Sequence, residues 1–249
     1  MSEPVDITMT AVLRPEITAK TLETFCKHVF VDRDRYRLIV NIDPVGNATP
    51  MSVVRLCKGY FNNVVYNVAG KPSFSKAVMW IWKQVTAKFI FHLEDDWIIY
   101  RDLDIDHMIY LMRVYPELAS LRLSRKLLSM RKKDYPILKV DSLIYTHKYG
   151  EKFFVAHDRG RSFSLNPSLI KTKFIKKALP FMVEERNPEK QFRSKDPSLG
   201  KYVVKWDHGI YGDPNEDPYV FGRNGARWRD SQGFQKPSKN TFLTWEKKK

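Results

Sequence analysis

Apolar and polar residues in the first half of the chain form short runs whose period switches between two and about 3.6, the mark of strands alternating with helices. Val5 to Leu13 reads as a first strand. Arg14-Pro15 ends it, and Pro15 suits the first turn of a helix whose buried face carries Leu22, Phe25, Cys26 and Val29. Tyr36 to Ile42 is a second strand, ending in the loop signal Asp43-Pro44-Val45-Gly46-Asn47. Val64 to Val68 is a third, closed by Ala69-Gly70-Lys71-Pro72. A helix capped by Ser73 or Ser75 then buries Phe74, Ala77, Val78, Ile81, Trp82 and Val85. A fourth strand covers Phe89 to Leu93, with His92 as a core residue, and a helix spans Ile105 to Tyr115. Leu118 to Leu123 reads as an edge strand. Beyond Ser124 the periodicity weakens. Phe163-Ser164-Leu165 reads as a short strand entering a helix at Pro167 or Ser168, Tyr202 to Trp206 and Tyr219 to Phe221 as late strands, and the last thirty residues as a draped tail. Repeated strand–helix units predict an α/β fold with a mostly parallel sheet flanked by helices.

With 249 residues, 43% hydrophobic and 13% aromatic, the chain can build one large domain over 1–249. It has no apolar run long enough for a membrane span, and Met1-Ser2-Glu3-Pro4-Val5-Asp6 lacks the regions of a secretory signal. Cys26 and Cys57 fit no metal spacing and read as reduced core thiols, so the expected location is cytoplasmic (host cytoplasm if the chain is viral). The net charge of +15 is segregated: residues 1–120 hold 14 Lys+Arg and 14 Asp+Glu, residues 121–249 hold 29 and 14. Arg125-Lys126, Arg131-Lys132-Lys133 and Lys247-Lys248-Lys249 contribute to this excess. A basic half implies a polyanionic partner, nucleic acid first and an anionic membrane surface second.

Lys88-Phe-Ile-Phe-His-Leu-Glu94-Asp95-Asp96-Trp97 places three carboxylates at the C-terminal end of a buried strand. Ligands of α/β sheets bind at that edge, and carboxylates there can hold a divalent cation. Asp43 ends a second strand and could border the same crevice.

These parts, in this order, resemble the glycosyltransferases of the GT-A fold, the family-2-like class that uses nucleotide sugars. Thr10-Ala-Val-Leu-Arg14-Pro15 with Leu22-Glu-Thr-Phe25 is similar to the opening strand and helix of that class, and Asn41-Ile42-Asp43 to its second strand. Phe91-His-Leu-Glu94-Asp95-Asp96 resembles its D-x-D metal motif, and Phe163-Ser-Leu-Asn166-Pro167 an acceptor-side segment; together the likeness spans roughly residues 5–190. The resemblance implies a Rossmann-like sheet with residues 1–120 as the nucleotide-sugar half and 121–249 as an elaborated, basic acceptor half. It implies Mn²⁺ or Mg²⁺ and a nucleotide-sugar donor, UDP-sugar first. Asp96 would ligate the metal, with His208 as a possible third ligand, while Glu94 and Asp95 would hold the ribose and sugar hydroxyls or position metal-bound water. Asp43 would accept a hydrogen bond from base or ribose, and Arg14 would reach phosphate. Lys76 is either a phosphate contact or a solvated helix lysine. An inverting transfer also needs a base, for which Glu185 comes first, then Glu184, then Glu189. Arg223, Arg227 and Arg229 would close over the donor or face a polyanion.

The implied activity is transfer of a sugar to a hydroxyl, and the segregated positive charge points to a hydroxylated DNA base, as in viral DNA-modifying enzymes, as the acceptor. The rivals are a transferase acting on a lipid-linked or cell-envelope glycan, a metal-dependent nucleic-acid-processing enzyme, and a non-catalytic nucleic-acid-binding protein.

Overall fold

Strand β1 (Val5–Leu13) is buried along its whole length, because it pairs in parallel with β2 (Tyr36–Gly46) on one side and β4 (Phe89–Glu94) on the other. The computed structural model describes residues 3–125, 144–146, 152–155, 163–212, 217–222, 224–235 and 246–247. Of the basic positions singled out above, Lys126, Arg131–Lys133, Arg223, Lys248 and Lys249 lie outside the described residues. With β3 (Asn63–Val68), β6 (Leu118–Leu123), β7 (Ile144–Thr146), β8 (Lys152–Val155), β9 (Ser168–Lys171) and β10 (Asp207–Tyr211), these strands form a nine-stranded sheet of order β3-β2-β1-β4-β9-β6-β10-β8-β7. Strands β9 and β8 run antiparallel to their neighbours, and the other pairings along β1, β2, β3, β4, β6 and β10 are parallel. Strands from both halves of the chain thus share one sheet, the mostly parallel α/β architecture that the sequence predicts.

The period-two alternation of β1 divides two cores. Val5, Ile7, Met9, Ala11 and Leu13 pack with Leu22, Phe25 and Cys26 of α1 (Pro15–His28), with Val53, Val54 and Cys57 of α2 (Pro50–Tyr60), and with Met108, Leu111 and Met112 of α4 (Ile105–Val114). On the other face, Ile39, Ile90 and Ile170 pack with Val78, Ile81 and Trp82 of α3 (Phe74–Lys83), with Phe174 and Ile175 of α5 (Thr172–Ala178) and with Phe192, directly after α6 (Pro188–Gln191). β1 also puts polar side chains on this second face, and each is answered. Arg37 Nε and Nη2 donate to Asp6 at 2.9 and 2.8 Å, and the Thr86 and Ala87 amides add 2.7 and 3.0 Å bonds. Thr8 Oγ1 meets His92 Nδ1 at 3.0 Å. Both cysteines are buried and free, and burial pushes their thiols up, Cys26 to about 11 and Cys57 to about 12, which keeps them inert. Among the described residues, no helix is long and apolar enough to cross a membrane.

Five sequence expectations are corrected. Helix α2 was absent from the pattern reading, since the loop signal at 43–47 obscures its start at Pro50. Leu118–Leu123 is an interior strand between β9 and β10, its small residues Ala119 and Ser120 being fully buried rather than edge-facing. Phe163–Leu165 is not a strand; β9 begins only at Ser168, directly after Pro167, whose missing N–H bars it from a central ladder. Tyr202–Trp206 is not a strand either. The Asp196 carboxylate accepts the Ser198 and Leu199 amides at 2.9 and 3.0 Å and nucleates the helical turn α7 (Gly200–Val203), so extended structure resumes only at Asp207. The tail contains α8 (Asn224–Ser231), which follows β11 (Val220–Gly222) and precedes the short pair β12 (Phe234–Gln235) and β13 (Glu246–Lys247).

The wholly buried His92 gives a pH signature. Burial lowers its imidazole from 6.5 to about 3. Below pH 6.5 the unfolded chain binds the proton that the folded chain refuses. The stability this group contributes is therefore complete above 6.5 and lost as pH falls, by up to about 1.4 kcal/mol per unit. Urea midpoints of the wild type minus those of His92→Gln are expected to decline on acidification between about pH 6 and 4. A difference that stays flat with pH overturns this account.

Candidate functional site at the C-terminal strand edge

The parallel ladder between β1 and β2 slips after Val12, so that Leu13 pairs with Gly46 rather than with the residue after Asp43. Gly46 has φ +123°, and a Cβ there would lie 2.4 Å from the Leu13 carbonyl oxygen, so the slip requires glycine. It leaves Arg14, the residue before Pro15 of α1, over the end of β4.

There Arg14 is buried and forks onto Asp95: Nε donates to Oδ2 at 3.0 Å and Nη2 to Oδ1. Asp95 Oδ2 also accepts the Val12 amide at 3.0 Å, the Asp95 amide donates to the Thr10 carbonyl at 3.1 Å, and Thr21 Oγ1 donates to the Asp95 carbonyl at 2.8 Å. Burial by itself lowers the Arg14 pKa, but Asp95, then Asp96 and Glu94, outweigh it and the net shift is upward, so the guanidinium is a fixed cation. Asp96 Oδ2 lies 3.4 Å from Arg14 Nη2 and keeps 22% of its side chain exposed. Glu94, half-buried, ends β4 in register with Thr10.

The C-terminal segment closes over this group. β11 pairs antiparallel with β5 (Trp97–Ile99), directly after the acidic triplet. α8 then brings Gly225 so near that a Cβ would meet Asp96 Oδ2 at 1.9 Å and Arg14 Nη1 at 2.3 Å. The Trp228 ring lies 5.5 Å from the Arg14 guanidinium, at cation–π range, and Asn47 Nδ2 donates to Gln232 Oε1 at 3.0 Å.

On the other side of β1, Asp43 is buried and accepts from Asn41 Nδ2 and from the Ser73 amide, both at 2.9 Å; Asn67 Nδ2 in turn donates to Asn41 Oδ1 at 2.7 Å. Burial raises the Asp43 carboxyl from 3.8 to about 6, against the pull of these donors. A cleft of about 330 Å³ opens here, lined by Asp43, Asn41, Asn67, Lys76, Trp80 and Glu184 among others. Lys76 Nζ pairs with Glu184 Oε2 at 3.1 Å, both side chains being well exposed. Gln191 shapes the turn that presents Glu184, its Nε2 donating to the Val183 and Arg186 carbonyls at 2.9 and 3.0 Å.

The structure therefore gathers Arg14, Glu94, Asp95 and Asp96 at one point and Asp43, Lys76 and Glu184 at the neighbouring cleft. Glu185 is exposed on the turn and does not line the cleft. Glu189 is a structural acceptor for the Leu165 amide at 2.9 Å. His208, expected in a loop as a metal ligand, is instead inside β10, bonded to Ser120 Oγ at 2.8 Å and packed against Phe163 and Phe174. It is level with Ser120, Ile170 and Ile90, three strands across from β4 or roughly 14 Å, which separates it from Asp96. Asn67, Trp228 and Gly225 were missed. Asn67 had a signal, an asparagine inside a strand; the other two had none.

Among the described residues, no three His, Cys, Asp or Glu side chains converge as a metal cage. Asp95 is committed to Arg14, which leaves Asp96 and the half-buried Glu94 as the carboxylates of the triplet with solvent access. One such ligand suits Mg²⁺ or Mn²⁺ that shares its remaining positions between diphosphate oxygens and water.

The architecture is that of the GT-A fold. The chain is similar to a mannosyltransferase from Pyrobaculum calidifontis solved with GDP-Man and Mn²⁺ (TM-score 0.61, 11% identity, 94% of this chain and 61% of that one). It is similar also to S. aureus TarS 1–349 with UDP-GlcNAc (0.54, 12%, 88% and 58%). A third similar structure is a CMP:2-keto-3-deoxy-manno-octonic acid synthetase complexed with CTP (0.51, 11%, 92% and 97%). The chain thus spans less than two thirds of the two transferases. No protein-family model and no curated protein sequence matches it.

The Arg14–Asp95 fork predicts large stability effects. Asp95→Ala strands a buried guanidinium and is expected to cost about 3–5 kcal/mol. Arg14→Lys keeps the charge but loses the fork, for about 1.5–3 kcal/mol. Urea denaturation measures both, and a cost of well under 1 kcal/mol for Asp95→Ala would show that the fork does not anchor the site.

Proposed function

We propose that the protein is a metal-dependent glycosyltransferase that moves a sugar from a nucleoside-diphosphate sugar to a hydroxyl. The observation that carries this reading is the pairing, across β1, of a part-exposed Asp96 with a cleft built on Asp43. The similar structures with GDP-Man and Mn²⁺ and with UDP-GlcNAc support it. Asp43, with Asn41 and Asn67 behind it, accepts from the base or ribose, and Lys76 faces phosphate. Asp96 holds the ion, which when bound neutralises charge on the departing diphosphate. Arg14 fixes Asp95 and so sets the orientation of Asp96. In the transfer the acceptor oxygen bonds to the anomeric carbon, and the bond from that carbon to the diphosphate oxygen breaks with its electron pair. On an inverting course the acceptor proton passes to Glu184, the member of the Glu184–Glu185 pair that lines the cleft.

The acceptor in this reading is a nucleic acid carrying a hydroxyl, such as a hydroxylated base; its support is the excess of 29 Lys+Arg over 14 Asp+Glu in residues 121–249. The test is a donor screen with Mn²⁺ or Mg²⁺ on DNA with and without hydroxymethylated bases. Release of nucleoside diphosphate supports glycosyl transfer. Release of pyrophosphate from a nucleoside triphosphate would instead place the chain with the synthetase-type chemistry of the CTP-bound structure.

Two outcomes are expected for binding. UDP or GDP with Mn²⁺ raises the melting temperature and Asp96→Asn removes the rise; if no nucleotide with metal shifts it, the reading fails. Because Asp43 titrates near 6, it is the ionised acceptor above that pH and protonated below it. Nucleotide affinity should thus fall by up to about tenfold per pH unit below 6, and calorimetry on Asp43→Asn should show this dependence lost.

A further inference from the structure

The N-terminal edge of the sheet, opposite the cleft, carries a second set of features that folding does not account for. Two adjoining troughs of about 560 and 710 Å³ share Pro116 and Trp206. Cations line both, but their situations differ. Lys88 and Arg113 pair with Glu3, and Lys171 donates to the carbonyls of Tyr115 and Pro116 at 3.1 and 2.8 Å at the end of α4. These three serve the fold. Lys173 and Lys177 on α5, and Lys201 and Lys205 on α7 and the turn after it, are exposed and make no ion pair among the described residues. Lys173 and Lys177, four residues apart on α5, share one helical face, and Lys201 and Lys205 both line the second trough. Tyr202, Trp206 and Phe181 line the second trough. Tyr202 stacks one face on Phe174 and donates its hydroxyl to the Phe174 carbonyl at 2.9 Å, Trp206 is half-buried against the same ring, and Phe181 is 58% exposed. Glu117 is the single carboxylate on the lining of either trough.

We infer that this lysine- and aromatic-lined groove binds a single-stranded nucleic acid. Lysine rows neutralise successive phosphates, and aromatic rings between them stack bases at about 1–3 kcal/mol each, whatever the sequence. A solvated lysine surface explains neither the concavity nor an exposed Phe181. An anionic bilayer would be met by protruding side chains, whereas these rings line a trough. The groove starts beside Phe89 and the acidic triplet begins at Glu94, five residues along β4 or roughly 16 Å. It is therefore separate from the transfer centre and holds a strand while another part of the same polymer reaches the cleft. Held in this way, the acceptor is presented at raised local concentration. The inference deepens the nucleic-acid part of the proposed function and is independent of the sugar-transfer part.

The test is fluorescence anisotropy of a labelled oligothymidylate with the full chain between roughly 50 and 200 mM salt. The wild type is expected to bind, and the triple variant Lys177→Glu/Lys201→Glu/Lys205→Glu to bind at least tenfold more weakly, its salt slope reduced by about 0.7 per lysine. Phe181→Ala, an exposed site that does not threaten folding, is expected to weaken binding about fivefold or more. Both variants should keep the thermal shift given by nucleotide with Mn²⁺, so a failed groove and a failed donor site are told apart. Absence of oligothymidylate binding, unchanged affinity in the triple variant, or tighter binding to phosphatidylserine vesicles than to the oligonucleotide would overturn the inference.

Discussion

The bidentate contact between Arg14 and Asp95 is the constraint on which the site depends. Together with the Val12, Thr10 and Thr21 bonds to Asp95, it joins the end of β1, the start of α1 and the turn after β4 at one point. Both partners are almost wholly buried, so removing either one leaves the other as a buried charge without its bidentate partner. The pair thereby spends one of the three acidic residues on architecture. That expenditure orients its neighbour Asp96, which remains partly in solvent.

Three carboxylates near the strand ends consequently differ in character. Asp95 is an internal counterion, Asp96 a partly exposed carboxylate beside a fixed cation, and Asp43 a desolvated acid on a ladder of asparagines. Burial differs little between Asp95 and Asp43; what separates them is the partner, a guanidinium in one case and neutral amides in the other. Identical side chains at equivalent strand ends are in this way suited to different work.

The first four strands could be read from the sequence as short apolar, β-branched runs bounded by turn signals, and α1, α3 and α4 because each buries a single face and so keeps a clean helical period. The acidic triplet was legible for a related reason, since a buried strand has no use for it except at its end. Where the reading failed, a long-range partner had overridden the local pattern. Strand β6 looked like an edge because Ala119 and Ser120 are small, yet their size is what lets the interior of the sheet close around them. The run Tyr202-Val203-Val204 has strand character, but Asp196 captures the preceding amides and winds it into a helical turn. His208 was placed in a loop for want of knowing that β10 lies beside Ser120. The reading also put the basic surface and the acceptor together. Yet four exposed lysines without ion pairs among the described residues, Lys173, Lys177, Lys201 and Lys205, lie at the opposite end of the strands, while Lys71 and Lys83, likewise without ion pairs, line the cleft itself; this division is visible only once β9 and α7 are placed.

The backbone at Gly225 has a consequence for the surroundings of Asp96. The first turn of α8 and the Asp96 carboxylate lie so close that no side chain fits between them. Contacts such as Asn47 with Gln232 and Arg14 with Trp228 hold the helix in that place, so residues outside the acidic triplet help fix how much of the Asp96 carboxylate water can reach.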